Sequence, residues 1–113
     1  MDEEYHHLSL CEAVVLFENT EEVANFLKDL CTPQELKALQ ERWEVCQLLD
    51  DGKLSYRQIS KQTGCSTTTI GRVSRFLNNE PYKGYRKLLD KIKKEKKDVQ
   101  KNIEAIVSNG TTM

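Results

Sequence analysis

No run of apolar residues in this chain approaches the roughly 18 that a membrane-spanning helix needs. The chain opens Met1-Asp2-Glu3-Glu4, acidic where a secretory signal would be basic and then apolar. A cytoplasmic protein is therefore expected. The four cysteines (Cys11, Cys31, Cys46, Cys65) form no C-x-x-C pair. A zinc site wants close pairs of ligands, and a disulfide framework belongs to secreted chains. Reduced, mostly buried thiols are the expectation, and the grouping of His6, His7 and Cys11 is discounted as a metal site. No nucleophile–base pair, phosphate loop or metal-ligand spacing appears either, so the chain is not expected to be an enzyme. Nothing alternates like a half-buried strand, and there is no internal repeat. What is left is a single all-α domain over residues 1–107, followed by a polar, disordered tail at 108–113.

The most informative absence is one of charge. Residues 52–79 contain Lys53, Arg57, Lys61, Arg72 and Arg75 but not one Asp or Glu, in a chain that has 18 acidic residues. Residues 1–51 are the reverse, with 3 basic residues against 13 acidic ones. The overall charge of −1 hides this division. A basic window free of carboxylates is what a phosphate-facing surface requires.

Capping signals and apolar spacing divide the chain into about six helices. Leu8 to Glu18 carries apolar residues over too wide an arc for a surface helix, which suggests burial against a second subunit. Thr20 offers an N-cap for a helix with Val23, Phe26, Leu27 and Leu30 on one face. Thr32-Pro33-Gln34-Glu35 is a capping box with proline in the first helical position, and Gly52 supplies the stop. Ser55-Tyr56-Arg57-Gln58 is a second box, opening a two-turn helix that ends at Gly64. Ser66 caps the next helix, which runs to about Leu77. A long helix then starts at Tyr82, and its apolar stripe thins across Lys93–Lys97.

The segment Tyr56–Arg75 meets the requirements of a helix-turn-helix. Ile59 fills the space between the two helices, and Ser60 is small where the second helix crosses. Gly64 permits the positive φ of the turn. Cys65, Ile70 and Val73 complete a small core. The second helix would then enter the major groove of double-stranded DNA. Thr67, Thr68 and Gly71 face outward from it, the threonines able to touch base edges and the glycine allowing close approach. Arg57, Lys61, Arg72 and Arg75 suit phosphates, with Ser66 at the helix start beside them.

The run from Leu30 to Ile92 resembles the tryptophan-repressor superfamily, and more closely its YerC/YecD-type branch. Thr32-Pro33, Arg42, Gly52, Gly64 and Thr69-Ile70-Gly71-Arg72 are the most telling pieces. The resemblance implies a six-helix fold, an intertwined homodimer with exchanged N-terminal helices, and two recognition helices about 34 Å apart. It also implies a candidate ligand pocket at Thr32, Arg42, Thr69 and Arg72. Where the repressor has a glycine and a serine in that pocket, this chain has Val73 and Phe76. A branched side chain and an aromatic ring would take up the ligand's space, so L-tryptophan is not expected as a co-repressor and no cofactor is implied. The expected function is a sequence-specific transcriptional regulator, most simply a repressor. The alternative is a dimeric adaptor that binds acidic partners, or nucleic acid without sequence preference, through its Lys-rich C-terminal helix.

Overall fold

The computed structural model describes residues 7–110 of the 113. All regular structure among the described residues is helical: α1 (Leu10–Val14), α2 (Thr20–Leu30), α3 (Pro33–Asp51), α4 (Tyr56–Thr63), α5 (Thr67–Asn78) and α6 (Gly84–Gly110). The chain divides into two compact units, one ending at Gln40 and the other beginning at Glu41.

In the N-terminal unit the helix expected over Leu8–Glu18 is much shorter. α1 has five residues, held by a capping box in which Ser9 Oγ accepts from Glu12 N–H and Glu12 Oε1 accepts from Ser9 N–H. The Ser9 bonds also hold the Glu12 carboxyl below its ordinary range. Val15 and Leu16 fall in the turn that follows and are largely exposed. Asn19, one residue before the expected Thr20, caps α2: its extended backbone lets Oδ1 accept from Glu22 N–H at 2.9 Å. Phe17 and Phe26 pack with ring centroids 5.2 Å apart. Even so, no residue from 7 to 40 is buried in the single chain. The apolar residues that the sequence spreads over a wide arc, Leu8, Leu10, Val14, Val15 and Leu16, are exposed. At the start of α3, Thr32 and Glu35 exchange the two hydrogen bonds of the expected capping box, at 2.8 and 3.1 Å.

The C-terminal unit has a true core. Val45 and Cys46 of α3, Ile59 of α4, Cys65 of the turn, Ile70, Val73 and Leu77 of α5, and Leu89 of α6 are all buried together. Gly52 ends α3 with φ +70°. α5 packs against both α4 and α6. The link between α3 and α6 is electrostatic as well as apolar. Asp50 receives Arg86 on one carboxylate oxygen at 2.9 Å and Lys93 on the other at 2.7 Å. Its side chain is only 11% exposed, and the hydrogen bond from Lys93, with that from Arg86, holds its carboxyl below the ordinary value despite the burial. One turn earlier, burial pushes the Cys46 thiol up to about 11, so it stays protonated and unreactive. All four cysteines are free, but only Cys46 and Cys65 are buried; Cys31 is half-buried and Cys11 exposed.

α6 starts at Gly84, two residues later than expected, because Lys83 turns the chain with φ +60°. It then runs through the Lys-rich stretch to Gly110, past the point where a disordered tail is expected, since no proline or stop signal intervenes. From Lys93 to Ser108 every residue is exposed. No described helix is long and apolar enough to cross a membrane.

Candidate nucleic-acid interface

α4, the turn and α5 form a unit fixed from beneath by apolar packing and within the turn by side-chain hydrogen bonds. Ser55 and Gln58 make the capping box that starts α4, at 3.1 and 2.8 Å. Ile59 and Ile70 are fully buried and Val73 nearly so, filling the angle between the helices as the spacing predicts. Gly64 takes φ +81° and donates to the Ser60 carbonyl. Ser60 does more than stay small. Its hydroxyl donates to the Cys65 carbonyl at 2.6 Å, pinning the outgoing chain to α4. Thr63 Oγ1 donates to the Ile59 carbonyl and accepts from Cys65 N–H, so the turn's polar groups are satisfied locally. Ser66 caps α5, accepting from Thr69 N–H and donating to Thr69 Oγ1, both at 3.1 Å.

This framework leaves one polar surface to solvent. Arg57, Lys61, Ser66, Thr67, Thr68, Arg72 and Arg75 are all exposed, and Gly71 is half-exposed among them. A Cβ added at Gly71 would meet nothing within 4 Å. The first turns of α4 and α5 carry no acidic residue, whereas those of α1, α2 and α3 each do. Acids are normally favoured at helix N-termini; here the neutral caps Ser55, Gln58 and Ser66 take their place, so no negative charge stands at the start of either helix. One detail lay beyond sequence reasoning: Arg75 pairs with Glu80 at 3.1 Å, across the end of α5 where helical periodicity gives no register.

The residues expected to form a ligand pocket have mixed surroundings. Arg42 and Arg72 line one cleft of about 560 Å³, together with Val73, Phe76, Trp43 and Tyr85. Trp43 and Tyr85 are stacked, 6.5 Å apart and 26° from parallel. Phe76 lies under two guanidinium groups, Arg72 at 4.6 Å and Arg75 at 5.2 Å from the ring centre. Thr69 uses its hydroxyl at the α5 cap. Thr32, in the N-terminal unit, uses its hydroxyl at the α3 cap. Sequence reasoning missed Trp43 and Tyr85 as cleft residues, because each reads simply as part of an apolar helix face. No cluster of metal-ligating side chains occurs among the described residues, and His6 lies outside them.

A short helix pair around a left-handed glycine is not by itself diagnostic, but this one matches a family. The family model for the Trp repressor protein matches residues 6–93. The chain belongs to the Trp repressor family. Among relatives of this family member is the uncharacterised protein YerC of Bacillus subtilis (strain 168). The two are 38% identical over 86 residues, which is 74% of this chain and 79% of YerC. The crystal structure of a TrpR-like protein from Eubacterium eligens ATCC 27750 superposes with a TM-score of 0.68 at 34% identity, covering 74% of this chain and 84% of that one. The family places the molecule among helix-turn-helix regulators with an all-helical fold, and the YerC-type resemblance read from the sequence holds.

Proposed function

We propose that this Trp repressor family member is a dimeric, sequence-specific DNA-binding regulator that works without L-tryptophan. The observation that carries the reading is the exposed surface of α4, the turn and α5, to which residues 52–79 contribute five basic residues and no acidic one, with Glu80 pairing Arg75 at its edge, underlain by a packed helix-turn-helix core. α5 lies in the major groove with Thr67 and Thr68 toward base edges and Gly71 allowing close approach. Arg57 and Lys61 on α4, with Ser66, Arg72 and Arg75, contact phosphates and set the register. Bound at an operator, such a protein acts most simply as a repressor.

The dimer is supported by the uncovered apolar side chains of the N-terminal unit, Leu8, Leu10, Val14 and Leu30 among them, each close to half exposed or more. A second copy covers them and supplies the second recognition helix. Independence from tryptophan is supported by Phe76. The Arg72 guanidinium rests on an aromatic ring that the protein itself provides, and Val73 walls the same cleft.

Salt dependence tests this directly. Fluorescence anisotropy of a labelled duplex pool, titrated at several salt concentrations, gives the number of phosphates neutralised. Alanine at Arg57 or Lys61 should each lower the log–log salt slope by about one, while Lys94→Ala/Lys97→Ala should leave it unchanged. The reverse pattern would sink the operator reading in favour of an adaptor using its Lys-rich helix.

A further inference from the structure

Glu80 is the first acidic residue after Asp51, and it closes the basic run just past the C-terminal end of α5. It does not stand apart from the surface beside it. Its Oε1 accepts from Arg75 Nε at 3.1 Å. The backbone holds the two residues together as well. The Arg75 carbonyl accepts from Asn79 N–H at 2.8 Å and from Glu80 N–H at 3.1 Å, closing the last turn of α5. The Arg75 guanidinium also lies 5.2 Å from the centre of the Phe76 ring, which carries Arg72 at 4.6 Å. Two like charges thus share one ring, and the Glu80 carboxylate offsets one of them.

The ion pair can give way to a competing anion. The Arg75 side chain is 54% exposed and that of Glu80 33%, and a pair so open to water contributes little to stability. A phosphate can therefore take the guanidinium from Glu80. The carboxylate itself cannot move far, because its own N–H stays bonded to the Arg75 carbonyl. A negative charge then remains beside the phosphate that replaced it. Position matters too. Thr67 and Thr68 occupy the first turn of α5, and at about 1.5 Å per residue Arg75 lies about 12 Å further along the axis from Thr67. Pairing with Glu80 holds Arg75 toward the end of α5 remote from those threonines.

We propose that Glu80 is a built-in competitor for DNA phosphate at Arg75, a positioning residue that lowers the sequence-independent part of duplex affinity. The proposal rests on the DNA-binding reading above and adds to it a residue outside the helix-turn-helix.

Glutamine at position 80 keeps the size of the side chain and removes its charge. Full-length wild type, Glu80→Gln, Arg75→Ala, the double variant and Arg57→Ala are titrated against a labelled random-sequence duplex by fluorescence anisotropy at several salt concentrations. Glu80→Gln should steepen the log–log salt slope by about one, which corresponds to about fivefold tighter binding at about 0.15 M salt. In the Arg75→Ala background the same change should gain about twofold or less, since what remains is screened repulsion. Arg75→Ala alone should lower the slope by less than Arg57→Ala does, because Glu80 already offsets that charge. An equal gain from Glu80→Gln in both backgrounds would overturn the proposal. So would unchanged or weaker binding by Glu80→Gln, and if Arg57→Ala still lowers the slope, the DNA reading itself survives. Weaker binding would mean that the carboxylate presents Arg75 to the phosphate instead of withholding it. No duplex binding by the wild type, or a slope indifferent to Arg57→Ala, would overturn both.

Discussion

Gly71→Ala separates folding from function because the two effects have opposite signs. Gly71 lies in the interior of α5 with an ordinary helical φ, and an added Cβ would meet nothing within 4 Å. In stability, then, only helix propensity is at stake. Replacing glycine by alanine inside a helix gains about 0.5–1 kcal/mol. If α5 lies in the major groove, the same methyl stands between the helix backbone and the bases. Losing one close base contact costs about 1–3 kcal/mol, or roughly 5- to 150-fold in affinity. Urea unfolding and anisotropy titration on the same preparation measure both. The expected result is a more stable protein that binds its site more weakly. Higher stability with unchanged affinity would show that this face of α5 does not enter the groove. Lower stability would refute the reasoning about open space around Gly71.

Three further outcomes follow from the geometry. Gly64→Ala should cost about 1 kcal/mol of stability, since φ +81° is strained for any residue with a Cβ although nothing crowds the site, and Gly64→Val should cost more; equal urea midpoints for all three would contradict this. Asp50→Asn should lose about 2 kcal/mol at neutral pH by leaving Arg86 and Lys93 without their shared carboxylate, a figure lowered from that of a fully buried pair because Lys93 is 59% exposed. Because the Asp50 carboxyl is held below its ordinary 3.8, its contribution is complete above that pH and is lost as pH falls through the lowered value, so the gap between the two proteins should close in acid; a gap constant with pH would refute it. Adding L-tryptophan should leave duplex affinity unchanged, whereas a gain of about tenfold would mean that the cleft beside Val73 and Phe76 still admits the ligand.

The parts of the fold legible in the sequence are those governed by local chemistry. Thr32 with Glu35, Ser55 with Gln58, and Ser66 each start a helix where their side chains predict, because each cap is satisfied within four residues. Gly52 and Gly64 mark the stops because only their conformation matters there. The core positions Ile59, Ile70 and Val73 followed from the spacing a helix-turn-helix demands.

What was not legible depends on contacts distant in the chain or on competition between neighbours. Asn19 and Thr20 are both good caps, and only the backbone chooses between them. The length of α1 is hidden because none of its apolar residues is buried, so no core position fixes where the helix ends. The late start of α6 depends on a lysine in a left-handed turn, a conformation that residue type does not announce. At the site, the exposed residues were readable from charge and helical phase. The stacking of Arg72 and Arg75 on Phe76 was not, because it depends on rotamers.

The most direct test of the account is selection of duplexes from a random-sequence pool by the purified full-length protein at moderate salt, without added ligand. The prediction is enrichment of a twofold-symmetric site with half-sites about one helical turn apart, and loss of that enrichment in Thr67→Ala/Thr68→Ala. Enrichment of no sequence, with the variant indistinguishable from wild type, would contradict the claim that α5 reads DNA.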